Sequence, residues 1–198
     1  RDNSSYAKVF EPNLYLPLQL LIERMHNSEP YFFINIDTTL EATTSQYALS
    51  KSLFLSSAEQ LIKEYQPRNL KFINIKLEHF YGSGAPSHNF ITYLVNSMQE
   101  NTLKINLTLG EQERDFIYVK DAVNAISVIV EEAKNFQNMI NYFEVGSGEN
   151  ITIRNAVTTI ADFLSYDQKK IHFGAMPYRK NEKMISEVSL KKIKNLGW

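Results

Sequence analysis

Apolar and polar positions along the first hundred residues switch between a helical period and short continuous apolar runs. Tyr6–Met25 is apolar on several faces and reads as a buried helix, with Pro12 and Pro17 kinking it or delaying its start. Tyr31-Phe-Phe-Ile-Asn-Ile36 is a β-favouring run and reads as a buried strand. After the polar stretch 38–45, Leu49, Leu53, Phe54, Ala58, Leu61 and Ile62 recur at spacings of three and four, which predicts a helix over Gln46–Tyr65 that Pro67 stops. Leu70–Leu77 is the next strand. The glycine-containing loop 81–86 breaks the pattern before a helix near Phe90–Gln99. Strand and helix in alternation are the signature of a parallel α/β sheet.

Beyond residue 103 the texture changes to shorter strands with intervening helices, a smaller α+β lobe joined without a linker. Strands are predicted at Ile105–Leu109, Phe116–Val119 and Tyr142–Val145. Asp121 is the expected N-cap of a helix over Ala122–Ala133, and Thr152 that of Ile153–Leu164. A last helical turn or two falls at Leu190–Leu196. No repeat or low-complexity segment stands out.

Composition adds mainly exclusions. The chain of 198 residues is 43% hydrophobic, with 21 basic and 22 acidic residues, which suits an ordinary globular protein and gives no electrostatic footprint for nucleic acid. No apolar run approaches the ~18 residues of a membrane span. The first ten residues lack signal-peptide character, so a cytoplasmic location is expected. With no cysteine there is no disulfide and no thiolate chemistry. His26, His88 and His172 are scattered without metal-ligand spacing, and no metal site is expected.

One pair of residues changes the picture. Tyr47 and Lys51, four apart at the start of a helix, share a face. An ammonium beside a phenol favours the phenolate, which would make Tyr47 a usable acid or base. The spacing alone is uninformative, because Tyr166 and Lys170 repeat it in a polar turn. Context separates them: Tyr47 follows a buried strand ending in Asp37-Thr38-Thr39, at the carboxyl edge of the sheet where α/β proteins bind ligands. Gly146-Ser-Gly148 lacks a third glycine and reads as a turn rather than a dinucleotide loop.

Several segments, in order, resemble the extended short-chain dehydrogenase/reductase family of nucleotide-sugar epimerases, dehydratases and reductases. They are Phe33-Ile-Asn-Ile-Asp-Thr38, Tyr47-Ala-Leu-Ser-Lys51, Leu77-Glu-His-Phe-Tyr-Gly82, Gly110-Glu-Gln-Glu-Arg-Asp-Phe-Ile-Tyr-Val-Lys-Asp121, Phe143-Glu-Val-Gly-Ser-Gly148 and Leu196-Gly-Trp198. The resemblance implies the C-terminal part of a Rossmann-like parallel sheet with an α+β substrate lobe. Residues 1–82 would be a partial NAD(P)-binding domain, and 83–198 mainly the substrate lobe, with a return to the sheet near 116–146. Tyr47 would be the catalytic acid/base. Lys51 would lower its pKa and hold the nicotinamide ribose of NAD or NADP, with Leu77 also at the cofactor. The family's catalytic Ser/Thr falls at Ile36 or one or two residues later, so Thr38 is the candidate, with Thr39 behind it. Substrate contacts fall on His79, where the family has Asn, and on Asn89, Arg114 and Arg179, the arginines suiting a diphosphate.

A Thr-Asp-Glu signature is absent, which disfavours a dehydratase. The short loop before Tyr47 and the Leu-Glu-His-x-Tyr-Gly segment most resemble the nucleotide-sugar 4-ketoreductases of surface-polysaccharide synthesis. A 4-epimerase and a non-catalytic sugar-nucleotide-binding homologue are the alternatives. The resemblance also implies a homodimer built on the helices Tyr6–Met25 and Gln46–Tyr65. The seven glycines contain no Gly-x-x-Gly-x-x-Gly. The motif order thus leads us to expect that a first half-sheet of roughly 70–100 residues lies outside this chain, and that the chain alone is inactive.

Overall fold

The structure is a computed structural model that describes residues 4–26, 28–180 and 182–198. In chain order its elements are α1 (Ser4–Phe10), α2 (Leu16–Met25), β1 (Tyr31–Thr38), α3 (Gln46–Tyr65), β2 (Leu70–Leu77), β3 (His79–Tyr81), α4 (Phe90–Gln99), β4 (Ile105–Leu107), β5 (Glu113–Tyr118), α5 (Val119–Glu132), β6 (Ile140–Val145), β7 (Asn150–Thr152), α6 (Ile153–Phe163), β8 (Ile171–Phe173) and α7 (Lys191–Lys194). They form two compact units. One comprises residues up to Leu77 with 125–145 and 190–198, and the other comprises 78–124 and 146–189.

The first unit is a parallel sheet in the order β1-β2-β6, with α3 against one face. Three aromatic rings explain that packing. Phe33 and Phe72 are register partners on neighbouring strands, stacked with centroids 5.7 Å apart, and Phe54 of α3 lies over both. Leu21 of α2 and Ala58 and Ile62 of α3 complete this core. Such burial of apolar area is what stabilises the layer. Ser45 starts α3 by accepting the Ala48 N–H (3.1 Å), and Gln66 ends it in a left-handed conformation just before Pro67.

The expected kink is present in the first helix. An α-helix there would clash with the Pro12 ring, and the turn instead widens to a π-helix over Glu11–Tyr15. Pro17 sits in the first turn of α2, where its missing N–H is harmless.

The second unit holds the sheet β3-β5-β7 and the parallel pair β4-β8. Its core is Leu94 and Met98 of α4, Ile105 and Leu107 of β4, and Val157 and Ala161 of α6. Thr152 caps α6 as expected, accepting the Asn155 N–H (3.1 Å). Asp121, however, is no N-cap. The chain passes from β5 into α5 at Val119 without a loop, so Asp121 lies inside the first turn, where its negative charge suits the helix dipole. The three-residue strands β3, β7 and β8 escaped the sequence reading, whereas β4, equally short, was found because the apolar alternation of Ile105, Leu107 and Leu109 runs past its end.

Candidate active site

The first unit gathers four of the residues singled out above. Thr38 and Leu77 end β1 and β2 as register partners, and Val145 continues the row on β6, so all three stand at the carboxyl edge of the parallel sheet. The Thr38 hydroxyl accepts the Leu40 N–H (3.2 Å), which turns the chain away from the strand. Seven residues later the cap at Ser45 starts α3, and Tyr47 and Lys51 occupy its first two turns.

Tyr47 is 42% exposed. Lys51 is half-buried, and its Nζ donates to the Ile36 carbonyl (2.8 Å) while standing 6.0 Å from the centre of the Tyr47 ring. The ammonium is thereby anchored to the strand. Its effect on Tyr47 differs from the expectation. Burial, and then the negative charge of Asp37, push the Tyr47 phenol above its ordinary value. Burial pulls Lys51 down, with Asp37 opposing. Desolvation penalises the charged form of each group, and this outweighs the attraction that the spacing suggested.

Asp37 is the residue that sequence reasoning missed. Its Oδ1 accepts the Thr38 N–H (2.8 Å) and its Oδ2 accepts the Asn74 side-chain amide (3.1 Å). Asn74 in turn accepts from Asn35 Nδ2 (2.6 Å). A signal was available. Phe-Ile-Asn-Ile occurs at 33–36 and again at 72–75, and the two copies pair residue for residue in the sheet.

The remaining candidates belong to the second unit. His79 opens β3, half-buried, with Nδ1 3.3 Å from the buried Glu78 carboxylate and its ring edge-on to Phe116. Asn89 precedes α4 and makes no side-chain cap, so its amide is not spent on the helix end. Arg114 lies within β5 rather than before it, donating to the Glu113 carbonyl (2.7 Å) and paired with Glu182. The pairing commits this guanidinium internally. Arg179 is exposed in the loop after β8. The Gly146-Ser-Gly148 segment is a turn: Ser147 N–H and hydroxyl and Gly148 N–H all donate to the buried Asp115 carboxylate (2.7, 2.8 and 2.7 Å). These donors hold the protein's own anion. Among the described residues no cluster of His, Asp or Glu could hold a metal ion, and no helix is long and apolar enough to cross a membrane.

A tyrosine and lysine one helical turn apart, beside a threonine at the carboxyl edge of a parallel sheet, invite comparison with nucleotide-dependent enzymes. The model of the NAD dependent epimerase/dehydratase family matches residues 26–143. The chain belongs to this family. A CDP-abequose synthase of Salmonella muenchen is 31% identical over 202 residues, covering 100% of this chain and 67% of that protein. A dTDP-4-dehydro-6-deoxyglucose reductase of Escherichia coli is 28% identical over 157 residues, covering 77% and 46%. The chain spans about two thirds of the length of the CDP-abequose synthases it matches. Among solved structures, a dTDP-glucose 4,6-dehydratase of Streptomyces venezuelae with NAD bound has a TM-score of 0.80 at 17% identity, covering 96% of this chain and 61% of that one. That likeness is one of fold: the Rossmann-like α/β architecture with its parallel sheet.

Proposed function

We propose that the chain serves an NAD(P)-dependent reductase of a nucleotide-bound 4-keto-deoxy sugar, acting in the cytoplasm in the synthesis of a surface-polysaccharide sugar. The observation that carries this reading is the edge-on group of Tyr47, Lys51 and Thr38 at the carboxyl ends of β1 and β2. The matched family and the reductase among the relatives support it.

The residues present suit the nicotinamide end of the cofactor. Lys51 spends one of its three N–H donors on the Ile36 carbonyl and has two for ribose hydroxyls, while Leu77 offers an apolar edge. When bound, NAD(P)H supplies hydride. Tyr47, held protonated by burial and by Asp37, donates its phenolic proton to the keto oxygen as that oxygen gains charge. Thr38 lends a hydroxyl to the same oxygen, and Lys51 offsets the charge then left on Tyr47. In the second unit Arg179, His79 and Asn89 are the groups for the nucleotide diphosphate and sugar. Arg114 takes part only by leaving Glu182, or else serves by fixing the loop that carries Glu182.

The test is the intact protein given NADPH and a panel of nucleotide-linked 4-keto sugars, followed at the absorbance of NADPH. Tyr47→Phe is expected to lower the rate by on the order of 10²–10⁴, the usual scale of a positioned proton donor. An undiminished rate removes Tyr47 from the mechanism. Given instead the oxidised cofactor and the corresponding 4-hydroxy nucleotide sugars, interconversion of 4-epimers with no net change in the nicotinamide would make the protein an epimerase, and binding without conversion in either assay a non-catalytic homologue.

A further inference from the structure

A parallel strand buried on one face by a helix should present apolar side chains there, yet the middle of this sheet carries two asparagines side by side. Asn35 and Asn74 are 7% and 4% exposed and are register partners on β1 and β2. Their burial is unfavourable unless the amides are hydrogen-bonded. The bonds they make run in one direction, from Asn35 Nδ2 to Asn74 Oδ1 (2.6 Å) and from Asn74 Nδ2 to Asp37 Oδ2 (3.1 Å). The chain of amides ends on a carboxylate at the edge of the sheet. Its other oxygen takes the Thr38 N–H, so Asp37 is held at both ends.

We infer that the Asn35–Asn74 amide pair is a positioning device for Asp37, fixing a single negative charge against the Tyr47–Lys51 pair. This deepens the reading of Tyr47 and Lys51 proposed above and rests on it. Asp37 acts on both members of the pair: it opposes the loss of the Lys51 proton and raises the Tyr47 phenol. Lys51 Nζ of α3 donates to the carbonyl of Ile36, the residue next to Asp37 (2.8 Å), and Tyr47 lies one turn earlier on the same helix. Along the Asp37 row of the sheet stand Lys76 of β2 and, beyond it, Glu144 of β6. Lys76 is the register partner of Asp37 but makes no ion pair with it among the described residues, so the carboxylate is steered by the amides. Without Asn74, the Asp37 side chain is free to turn toward Lys76, and its charge leaves the pair.

The inference is tested by titrating the Lys51 side chain in lysine-¹³C-labelled protein, its resonance assigned by its loss in Lys51→Arg. In Asp37→Asn the Lys51 midpoint is expected to move to lower pH, because burial then acts unopposed. Asn74→Leu, which keeps the carboxylate and removes its holder, is expected to shift it the same way by less. Asn35→Leu, which leaves Asn74 unanchored, provides the same readout should Asn74→Leu not fold. A Lys51 midpoint unchanged in Asp37→Asn, or unchanged in the leucine variant that folds, overturns the inference. Because the titration needs no turnover, it is separable from the reading beneath it. A shifted midpoint with an undiminished rate in Tyr47→Phe refutes the reductase mechanism, and an unshifted one with the rate lost refutes the amide relay.

Discussion

Tyr142 on β6 shows how little of a single residue's chemistry its own identity determines. Its hydroxyl donates to Glu59 Oε1 of α3 (2.6 Å). Burial, then that hydrogen bond and the carboxylate charge, push the phenol from its ordinary value of 10 to about 12. A folded-state pKa above the unfolded one means that the protonated form is favoured by folding. The contribution is therefore fully present below pH 10 and is lost as pH rises through about 12. Urea unfolding at several pH values across that window is expected to show Tyr142→Phe falling less steeply in stability than the parent. Equal slopes would remove the linkage. The same logic reverses the sequence expectation for Tyr47. Spacing four apart placed a cation near the phenol, and that much was legible because an α-helix fixes the neighbours at i and i+4. Burial first, and then the carboxylate of Asp37 on β1, decided the direction.

At the scale of elements, the periodic segments were readable, and of the three-residue strands only β4, which sits in a longer apolar alternation, was. The limits of α3, β2 and α4 agree with the apolar pattern, because each has enough residues to display its period. The end of β5 and the start of α5 did not follow from local signals, since no turn separates them. The turn at Gly146-Ser-Gly148 was read correctly as a turn, but its purpose is tertiary. A Cβ at Gly146 would lie 2.6 Å from Asp115 Oδ2 and 3.1 Å from Glu78 Cγ. Gly146→Ala is thus expected to destabilise the protein by about 1–3 kcal/mol, as overpacking does, in urea denaturation. A loss below experimental error would mean that the turn and the Asp115 carboxylate can part without cost.

For the whole molecule, the exposed apolar residues of the first unit point outward to association. Tyr15, Leu16, Leu20 and Ile22 of the first helices and Leu49 and Leu53 of α3 are all exposed, more apolar side chain than a solvated helix surface usually carries. We expect a second copy to cover them. Sedimentation at micromolar concentration should give a dimer, and Leu20→Glu with Leu53→Glu should give monomers of unchanged secondary structure. A monomeric parent protein would refute the assembly.

The sequence by itself determined the parallel α/β character, the family, the position of Tyr47 and Lys51 on one helix face, and the caps at Thr152 and the turn at Gly146, because periodicity and short-range spacing are properties of neighbours along the chain. The pairing of two identical Phe-Ile-Asn-Ile segments, the amide path to Asp37, the partner of Arg114 and the raised phenol of Tyr47 were decided only by the tertiary structure. Each joins residues of different elements, and burial, which sets the strength of every charge and hydrogen bond among them, exists only once the strands and helix have packed.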